Sequence, residues 1–353
     1  MAVSSASPGT RAGCADTLPS MHTRSLPKVP DLALTTLGLG GAQAGNLSRP
    51  QSEEDVAAAW QTAWDAGIRY VDTAPHYGLG LSERRLGALL RERPREQFVL
   101  STKVGRVLEP SPETADRSDL DDPAGGFAVA ADTRRRWDLS RDGIRRSIED
   151  SLQRLGLDRI DIAYLHDPED RMDEAVSTAL PALAELRDEG VLRAVGAGMN
   201  FSDHLARIVT ETDADVVMCA GRYTLLEQPA LADLLPAAVA NGVGVVVAGV
   251  YNSGLLARRR PREGATYNYA PAPQPLLDRV HALADACERH GVSLPEAALA
   301  FVTGHQAVVS TVVGARDAAD VTDAVERSSA EIPTALWDDL RGAGLIPDDA
   351  PTP

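Results

Sequence analysis

Short apolar segments alternate along the chain with longer amphipathic segments from residue 31 onward. A short apolar run bounded by polar residues or glycine predicts a buried strand, whereas apolar residues spaced three and four apart predict a helix. The segments with the character of strands are 37–41, 70–73, 98–102, 160–165, 192–198, 215–219, 243–248 and 308–313. Helices are expected near 53–66, 82–92, 141–155, 173–189, 203–211, 229–241, 276–290 and 317–327, with a further helix near 334–343.

Eight strands, each followed by a helix, are most simply arranged as one (β/α)8 TIM barrel of the α/β class. We expect a single barrel domain over residues 31–345, preceded by a disordered leader over 1–30 and followed by a short tail over 346–353. An open, doubly wound sheet is the alternative. The glycine-rich segment 38–41 argues against it, because this segment lacks the full GxGxxG spacing and does not open a long helix directly.

Two long segments interrupt the alternation, at 104–139 and at 252–275. Both follow strands, so in a barrel both lie at the C-terminal mouth, where barrel enzymes build their active sites. We expect a mixture of aromatic and polar residues near this mouth, suited to a small polyhydroxylated or heteroaromatic molecule and equally to a simple aldehyde. These residues are His76, Phe127, Trp137, Arg222, Tyr223, Tyr267 and Tyr269.

The charge balance narrows the possible partners. With 51 acidic and 35 basic residues among 353, the net charge is −16. Nucleic acids and anionic membranes both need a basic surface, so neither is expected as the main partner. No apolar run is long enough to span a membrane, and the three separated cysteines form neither a metal site nor a disulfide framework. The composition indicates a cytoplasmic protein.

Lysine is nearly absent from the chain. Of the 35 basic residues only Lys28 and Lys103 are lysines, and the others are arginines. Arginine therefore supplies the ordinary surface cations. A lysine kept at the end of the third predicted strand indicates a role that needs the compact ammonium group and that arginine's broad guanidinium cannot fill.

Four residues with complementary chemistry lie at or just beyond the ends of predicted strands: Asp72, Tyr77, Lys103 and His166. Taken singly, such residues are commonly helix caps, packed aromatics or buried polar groups. In a barrel, however, the carboxyl ends of the strands converge, and these four side chains would share one pocket. An ammonium beside a tyrosine favours the phenolate, a carboxylate holds the lysine, and a histidine can bind the same substrate oxygen.

With these residues in place, the chain resembles the aldo-keto reductase family. Residues 67–86 resemble its first signature and residues 152–166 its second, while 196–200 and 313–316 resemble its cofactor-binding segments. The similarity covers roughly residues 30–345. Asn200, Phe201 and the segment 221–228 are most similar to the branch that contains aldose 1-dehydrogenases, fucose and galactose dehydrogenases and pyridoxal 4-dehydrogenase.

The resemblance implies a barrel that binds an extended nicotinamide cofactor, NAD or NADP, across its mouth and moves hydride between the cofactor and a carbonyl, an alcohol or a sugar hemiacetal. Tyr77 would be the general acid or base, Lys103 would lower its pKa, Asp72 would pair with Lys103, and His166 would orient the substrate oxygen. The implied cofactor contacts are Gly41, Ala42, Asp72, Asn200, Tyr251, Asn252, Ser253, Gly254, Gly314, Ala315, Arg316, Asp320 and Asp323.

Three positions depart from the family pattern. Ala248 or Gly249 stands where many members place an aromatic residue under the nicotinamide, with Tyr251 slightly later. An apolar residue among Val217, Met218 and Cys219 replaces the usual amide of strand six. Gly314 and Asp320 stand where NADPH-specific members carry lysine and arginine, and a carboxylate beside the ribose suits the hydroxyls of NAD better than a 2′-phosphate, although Arg316 could still pair with a phosphate.

Two other functions remain open on the sequence alone. A regulatory nicotinamide-binding subunit resembling potassium-channel β subunits would share this barrel, and a phosphate-handling barrel isomerase would need no redox cofactor. The oxidoreductase interpretation predicts a small carbonyl, sugar or alcohol substrate and a monomer or small homo-oligomer.

Overall fold

The computed structural model describes residues 21–122, 125–268 and 270–353. Eight parallel strands close into a barrel, in the order β3 (Leu37–Gly40), β4 (Tyr70–Asp72), β5 (Val99–Val104), β8 (Ile162–His166), β9 (Ala194–Met199), β10 (Val216–Ala220), β11 (Gly244–Ala248) and β14 (Val308–Gly314), which pairs again with β3. All eight predicted strands are therefore confirmed, and so is the (β/α)8 barrel. The open-sheet alternative is wrong.

Helices surround the barrel and bury its outer face. They are α1 (Glu53–Asp65), α2 (Leu81–Leu90), α3 (Arg141–Leu155), α4 (Met172–Glu174), α5 (Leu180–Asp188), α6 (Ser202–Glu211), α7 (Leu234–Asn241), α8 (Gln274–Arg289), α9 (Leu294–Thr303), α10 (Ala318–Ser328) and α11 (Thr334–Gly342). A π-helical turn, Ala175–Ala179, joins α4 to α5. No helix of the described residues is long and apolar enough to cross a membrane.

One helix was not predicted. α9 packs on β14 as the seventh barrel helix, and α8, which was expected in that place, packs against α9 and α11 instead. Seven of the ten residues of α9 are buried and only Glu296 and Thr303 are polar, so its sequence is a nearly continuous apolar run with a weak helical pattern. Its start is nevertheless marked in the sequence, because Ser293 and Glu296 form a capping box.

The disordered leader expected over residues 1–30 is wrong for its last residues, because residues 23–26 and 29–30 belong to two strands. β1 (Thr23–Leu26) and β2 (Val29–Thr35) form an antiparallel hairpin beneath the barrel. Leu26 of this hairpin belongs to the same buried cluster as Tyr70 and Val246 inside the barrel, and Arg24 donates to the carbonyl oxygen of Val308 at 2.6 Å. The hairpin closes the N-terminal end because it completes this interior core. The rest of the leader, 1–20, lies outside the described residues.

Both long segments lie on the side of the barrel where the strands end. In the first, β6 (Arg106–Pro110) pairs with β7 (Thr133–Trp137) as an antiparallel hairpin that follows β5 directly. In the second, β12 (Thr266–Tyr267) pairs with β13 (Ala270–Pro271). The first hairpin brings Phe127 and several arginines over the ends of β4, β5 and β8.

Candidate active site

The barrel interior below the mouth is built in two layers of polar side chains. Side chains two residues apart on a strand share a face, so Tyr70 and Asp72 of β4 both point inward. Ser101 and Lys103 of β5 repeat this spacing, as do Tyr164 and His166 of β8. Each strand thus contributes a hydroxyl group to the lower layer, from Tyr70, Ser101 and Tyr164. It contributes an acid, a lysine or a histidine to the upper layer. The register places Asp72 beside Ser101 and Lys103 beside Tyr164, so the two layers are in contact.

The centre of the upper layer is a buried ion pair. The ammonium of Lys103 lies 2.7 and 2.6 Å from the two carboxylate oxygens of Asp72, and it also donates to the carbonyl oxygen of Thr73 at 3.2 Å. Both charged side chains are almost fully buried, at 2% and 3% exposure. Burial acts to lower the pKa of Lys103, but Asp72 and Tyr77 outweigh it and raise the pKa above its usual value. Lys103 is therefore a permanent cation.

Tyr77 stands beside this ion pair. The ammonium of Lys103 lies 5.3 Å from the centroid of its ring, and the ring of His166 meets it edge-on at 5.9 Å. Burial raises the pKa of Tyr77 to about 12, while the charge of Lys103 opposes this rise. The lowering by Lys103 expected from the sequence is thus present, but in the protein alone burial outweighs it.

The loop that carries Tyr77 is held by a close backbone approach. Gly78 has a φ of +62° and packs so tightly on Gly45 that a Cβ at residue 78 would lie 2.2 Å from the carbonyl oxygen of Gly45. The amide of Gly41 donates to the carbonyl oxygen of Asp72 at 2.7 Å. Ser82, at the start of α2, donates to the carbonyl oxygen of Gly41. These contacts fix the turn between β4 and α2, and with it the direction of the Tyr77 side chain.

Below the ion pair, three hydroxyl groups form a chain that ends on Asp72. Ser101 donates to Asp72 Oδ1 at 2.7 Å, Tyr70 contacts Ser101 at 3.0 Å, and Tyr164 contacts Tyr70 at 3.2 Å. A carboxylate only accepts, so Ser101 must use its proton there and accept from Tyr70, which in turn accepts from Tyr164. Burial raises the pKa of Tyr70 and of Tyr164, so both remain donors. These hydroxyl contacts were not predicted from the sequence. The available signal was that Tyr70, Ser101 and Tyr164 each precede a residue of the upper layer by two positions.

Histidines and an aromatic residue form one side of the site. His76 meets His166 edge-on at 5.3 Å and Phe127 at 5.4 Å, and Tyr77 lies 6.0 Å from Phe127. Burial lowers the pKa of His166 well below its usual value, and it lowers that of His76 to about 2, with Arg135 and Arg106 adding to the effect. Both imidazoles are neutral at physiological pH and can act as hydrogen-bond donors without carrying charge.

The other residues expected near the substrate are more scattered. Trp137 lies 4.8 Å from the guanidinium of Arg106, which in turn contacts His76. Arg222 donates to the carbonyl oxygen of Asn200 at 2.8 Å and to the Tyr267 hydroxyl at 3.1 Å, which links the ends of β9 and β10 to the second hairpin. Tyr269 lies outside the described residues.

Tyr223 does not line the mouth. It is fully buried between the barrel and its helices, 5.4 Å from the ring of Phe301 on α9 and 6.0 Å from that of His305. Its hydroxyl has no hydrogen-bond partner among the described residues. The expectation that Tyr223 contacts substrate is therefore wrong, because its side chain points away from the strand ends into the outer core.

The segments expected to hold the cofactor lie along the opposite part of the mouth. Gly40 pairs with Asp72 on one side and Gly314 on the other, so Gly41 and Ala42 begin between the ion pair and the end of β14. Asn200 follows β9. Three apolar residues of β10 were candidates for the position where the family usually has an amide. Met218 belongs to the interior cluster, and Val217 and Cys219 to the outer one, so Met218 takes the inward position.

The turn after β11 has the features of a cradle for a polar ligand. Gly249, Asn252, Ser253 and Gly254 all have positive φ values, and a Cβ on Gly254 would meet no atom within 4 Å. The Asn252 side chain is buried and donates to the carbonyl oxygen of Gly221 at 3.3 Å, while its Oδ1 has no partner among the described residues. A buried acceptor left open in such a turn fits a bound group that supplies donors. Tyr251 is half-buried alongside.

Beyond β14, the charges near the expected adenosine end are already paired. Arg316 donates from its backbone amide to Asp320 at 3.0 Å and from two guanidinium nitrogens at 2.6 and 2.7 Å. The hydrogen bond from Arg316 lowers the pKa of Asp320, which keeps this carboxylate ionised. Asp323 is paired likewise with Arg327 at 2.5 Å. Ala315 is buried, and Gly314 is exposed.

Comparison with known proteins agrees with this geometry. The model of the aldo/keto reductase family matches residues 36–344. The chain belongs to the aldo-keto reductase family. A D-threo-aldose 1-dehydrogenase of a Pseudomonas species is 50% identical over 90% of this chain and 96% of its own length. A pyridoxal 4-dehydrogenase of Microbacterium luteolum is 38% identical over 89% and 95%.

Among solved structures, the aldo-keto reductase AKR11C1 of Bacillus halodurans in its holo form superposes with a TM-score of 0.72 at 27% identity, covering 91% of this chain and 96% of that one. This aldo-keto reductase is therefore an NAD(P)-dependent oxidoreductase, as the resemblance implied. The dehydrogenases among its relatives favour this function over the channel subunit, and membership of the family favours it over the isomerase.

Proposed function

We propose that this aldo-keto reductase oxidises a sugar hemiacetal, or reduces a related carbonyl compound, with Tyr77 as the general acid or base. The observation that carries the proposal is the Asp72–Lys103 ion pair buried beside Tyr77 and His166 at the point where β4, β5 and β8 end. The 50% identity to a D-threo-aldose 1-dehydrogenase supports an aldose as the substrate.

Bound nicotinamide would supply the hydride acceptor for oxidation or the hydride donor for reduction. In the oxidative direction, Tyr77 accepts the proton of the anomeric hydroxyl as the C–H bond of the anomeric carbon is broken, and in reduction it donates the proton to the carbonyl oxygen. The Lys103 ammonium stabilises the phenolate that this role requires. His166, which is neutral, donates a hydrogen bond to the same oxygen and fixes its position.

Asp72 has a supporting role in this proposal. Its carboxylate keeps Lys103 charged in a site where burial favours the neutral amine. The hydroxyl chain of Ser101, Tyr70 and Tyr164 holds that carboxylate from below. The charged partner of Tyr77 is thus fixed before any substrate arrives, which lowers the cost of reorganisation during proton transfer.

We further propose that the cofactor follows the turn after β11 and the start of α10, and that NAD is preferred over NADP. Gly41, Ala42 and Asn200 would border the nicotinamide, and Tyr251, Asn252, Ser253 and Gly254 would follow the pyrophosphate. Gly314, Ala315, Arg316, Asp320 and Asp323 would surround the adenosine. Because Asp320 already occupies Arg316 with three hydrogen bonds, a 2′-phosphate would meet a carboxylate rather than a free cation.

The test is a titration of the purified protein with NAD and NADP, followed by assays with the preferred cofactor on D-threo-aldoses, pyridoxal and simple aldehydes and alcohols. Formation or loss of reduced nicotinamide is recorded by absorbance. We expect tighter binding of NAD and highest kcat/KM with an aldose. Binding of a dinucleotide without turnover of any substrate in the panel would contradict the proposed activity.

A further inference from the structure

The guanidinium of Arg106 contacts both an imidazole and a carboxylate at the side of the mouth where the histidines lie. Arg106, at the start of β6, contacts His76 Nδ1 with one terminal nitrogen at 3.3 Å and donates with the other to Asp167 Oδ2 at 3.1 Å. We call Arg106, His76 and Asp167 the mouth clamp. Neither Arg106 nor Asp167 was assigned a role from the sequence, because they belong to different elements that only the folded barrel brings together.

The mouth clamp is rigidly supported. Arg106 is mostly buried, at 15% exposure, and its guanidinium lies 4.8 Å from the ring centroid of Trp137. Behind His76, Arg135 donates to its backbone carbonyl oxygen at 3.2 Å and is itself held by two hydrogen bonds to the buried Asp119. His76 and Asp167 therefore keep their positions without a ligand, as groups that recognise a substrate should.

The hydrogen-bonding roles of the mouth clamp follow from the guanidinium. Arginine only donates, so His76 Nδ1 must accept, and the proton of this neutral imidazole resides on Nε2. Asp167 is the opposite kind of group. Burial raises its pKa to about 6, with Arg106 opposing, so it is an ionised acceptor at neutral pH. The mouth clamp thus presents one donor, His76 Nε2–H, and one acceptor, the Asp167 carboxylate.

The mouth clamp lies next to the reacting atoms. Asp167 Oδ2 is 3.5 Å from His166 Nε2, and the His76 ring lies 5.3 Å from the His166 ring and 6.2 Å from the Tyr77 ring. A substrate oxygen held by Tyr77 and His166 therefore has Asp167 as its immediate neighbour. A group on the carbon next to the reacting carbon would therefore be within reach of the mouth clamp.

A donor and an ionised acceptor side by side match a hydroxyl group, which accepts and donates at once. We propose that His76 and Asp167, held by Arg106, determine specificity by binding the hydroxyl group on the carbon adjacent to the reacting one, so that the enzyme selects α-hydroxylated substrates such as aldoses. This inference rests on the proposed function and adds to it the part of the substrate that is recognised. Arg106 is a positioning residue, because its two terminal nitrogens contact His76 and Asp167 rather than the substrate.

The backbone at Asp167 dictates which variants test the proposal. Its φ of +45° lies in the left-handed region, where asparagine and glycine are tolerated and alanine is strained. Asp167→Asn keeps the shape and removes the charge, and Asp167→Gly removes the whole side chain. Asp170→Asn, on an exposed residue three positions later, is the matched control for loss of one negative charge.

The experiment compares kcat/KM for an aldose, for the same aldose lacking its 2-hydroxyl group, and for a simple aldehyde without hydroxyl groups. We expect Asp167→Asn to lower kcat/KM for the aldose roughly tenfold and Asp167→Gly roughly a hundredfold, because a hydrogen bond to a charged group is lost. The two substrates without the hydroxyl should change less than about threefold in either variant, and Asp170→Asn should change none of the three values.

The ratio between substrates separates recognition from simple damage to the fold. Equal losses on all three substrates, in both variants, would overturn the proposal while leaving the oxidoreductase function intact. The proposal would also be overturned if the wild-type enzyme did not distinguish the aldose from its deoxy analogue. Absence of turnover by the wild-type enzyme on every substrate would overturn the proposed function and this inference with it.

Discussion

Lys103 and Asp72 form a bidentate ion pair. The ammonium lies 2.7 and 2.6 Å from the two carboxylate oxygens, and both side chains are almost fully buried. Removing one partner of a buried pair leaves the other charge without compensation. We expect Asp72→Asn to lower the free energy of unfolding by about 3–5 kcal/mol, measured by chemical denaturation.

The chain provides its own control for this prediction. Its other lysine, Lys28, pairs with Asp213 at 3.3 Å, and Asp213 also accepts from Arg187 at 2.6 Å, but the Asp213 side chain is 65% exposed. Asp213→Asn should cost less than about 1 kcal/mol, as is usual for exposed pairs. Similar losses for the two variants would mean that the Asp72–Lys103 pair is not specially important for stability.

Replacing Tyr77 by phenylalanine removes only the hydroxyl group that is proposed to exchange the proton. We expect kcat to fall by about 10²–10⁴-fold, while cofactor affinity, measured by fluorescence titration, stays unchanged. Tyr223→Phe is the matched control, because its hydroxyl is buried in the outer core without a partner among the described residues. Turnover of Tyr77→Phe at the wild-type rate would exclude Tyr77 as the proton-transfer group.

The pH dependence of oxidation should follow the ionisation of the Tyr77 hydroxyl group and its dependence on the charge of Lys103. Burial raises the pKa of Tyr77 to about 12 and Lys103 opposes that rise, so the phenolate fraction, and with it the rate of oxidation, should increase with pH throughout the neutral and alkaline range. Lys103→Met removes the opposing charge, so the pKa should rise further and the rate at any given pH should fall. A profile of kcat/KM in this variant that coincides with the wild-type profile would show that Lys103 does not act on Tyr77.

Ser101→Ala interrupts the hydroxyl chain under Asp72. We expect roughly a tenfold loss of kcat with little change in KM, since the variant loses a hydrogen bond to a charged group that positions Lys103. Ser310→Ala is the matched control: Ser310 is also a buried strand serine, but it donates to the carbonyl oxygen of Thr35 at the other end of the barrel. If both variants lose stability but neither loses kcat, the chain has only a structural role.

Cofactor preference should depend on Asp320. Asp320→Ala frees Arg316 from its three hydrogen bonds and removes a negative charge near the proposed 2′ position, so kcat/KM with NADP should rise by about tenfold or more relative to NAD. Asp338→Ala removes another arginine–aspartate ion pair, that with Arg341, far along the chain and should leave the ratio unchanged. An unchanged ratio in Asp320→Ala would place the adenosine elsewhere.

The sequence predicted the barrel strands well and two other elements poorly, for a physical reason in each case. The strands are short apolar runs because they are buried on both faces, and such runs are visible without a structure. One side of the β1–β2 hairpin is buried because it closes the end of the barrel, as the place of Leu26, Leu32 and Leu34 in the interior cluster shows. α9 is buried over most of its circumference and has only two polar residues, so its helical pattern is too weak to distinguish it from other apolar runs.

The candidate site divides in the same way. Asp72, Tyr77, Lys103 and His166 could be named from the sequence because parallel strands end at one edge and because one lysine stood out among arginines. The mouth clamp could not be named from the sequence, since Arg106 reaches His76 and Asp167 only when the first hairpin folds over the ends of β4 and β8.

The sequence by itself therefore determined the barrel and the chemical groups at its strand ends, because both follow from local periodicity and from the direction of the strands. The tertiary structure decided which of those groups touch. It placed Tyr223 in the outer core, linked Asp72 to Tyr164 through two other hydroxyls, and set Arg106 between a histidine and a carboxylate. Contacts between residues so distant in the chain depend on strand register and loop conformation, which no local pattern encodes.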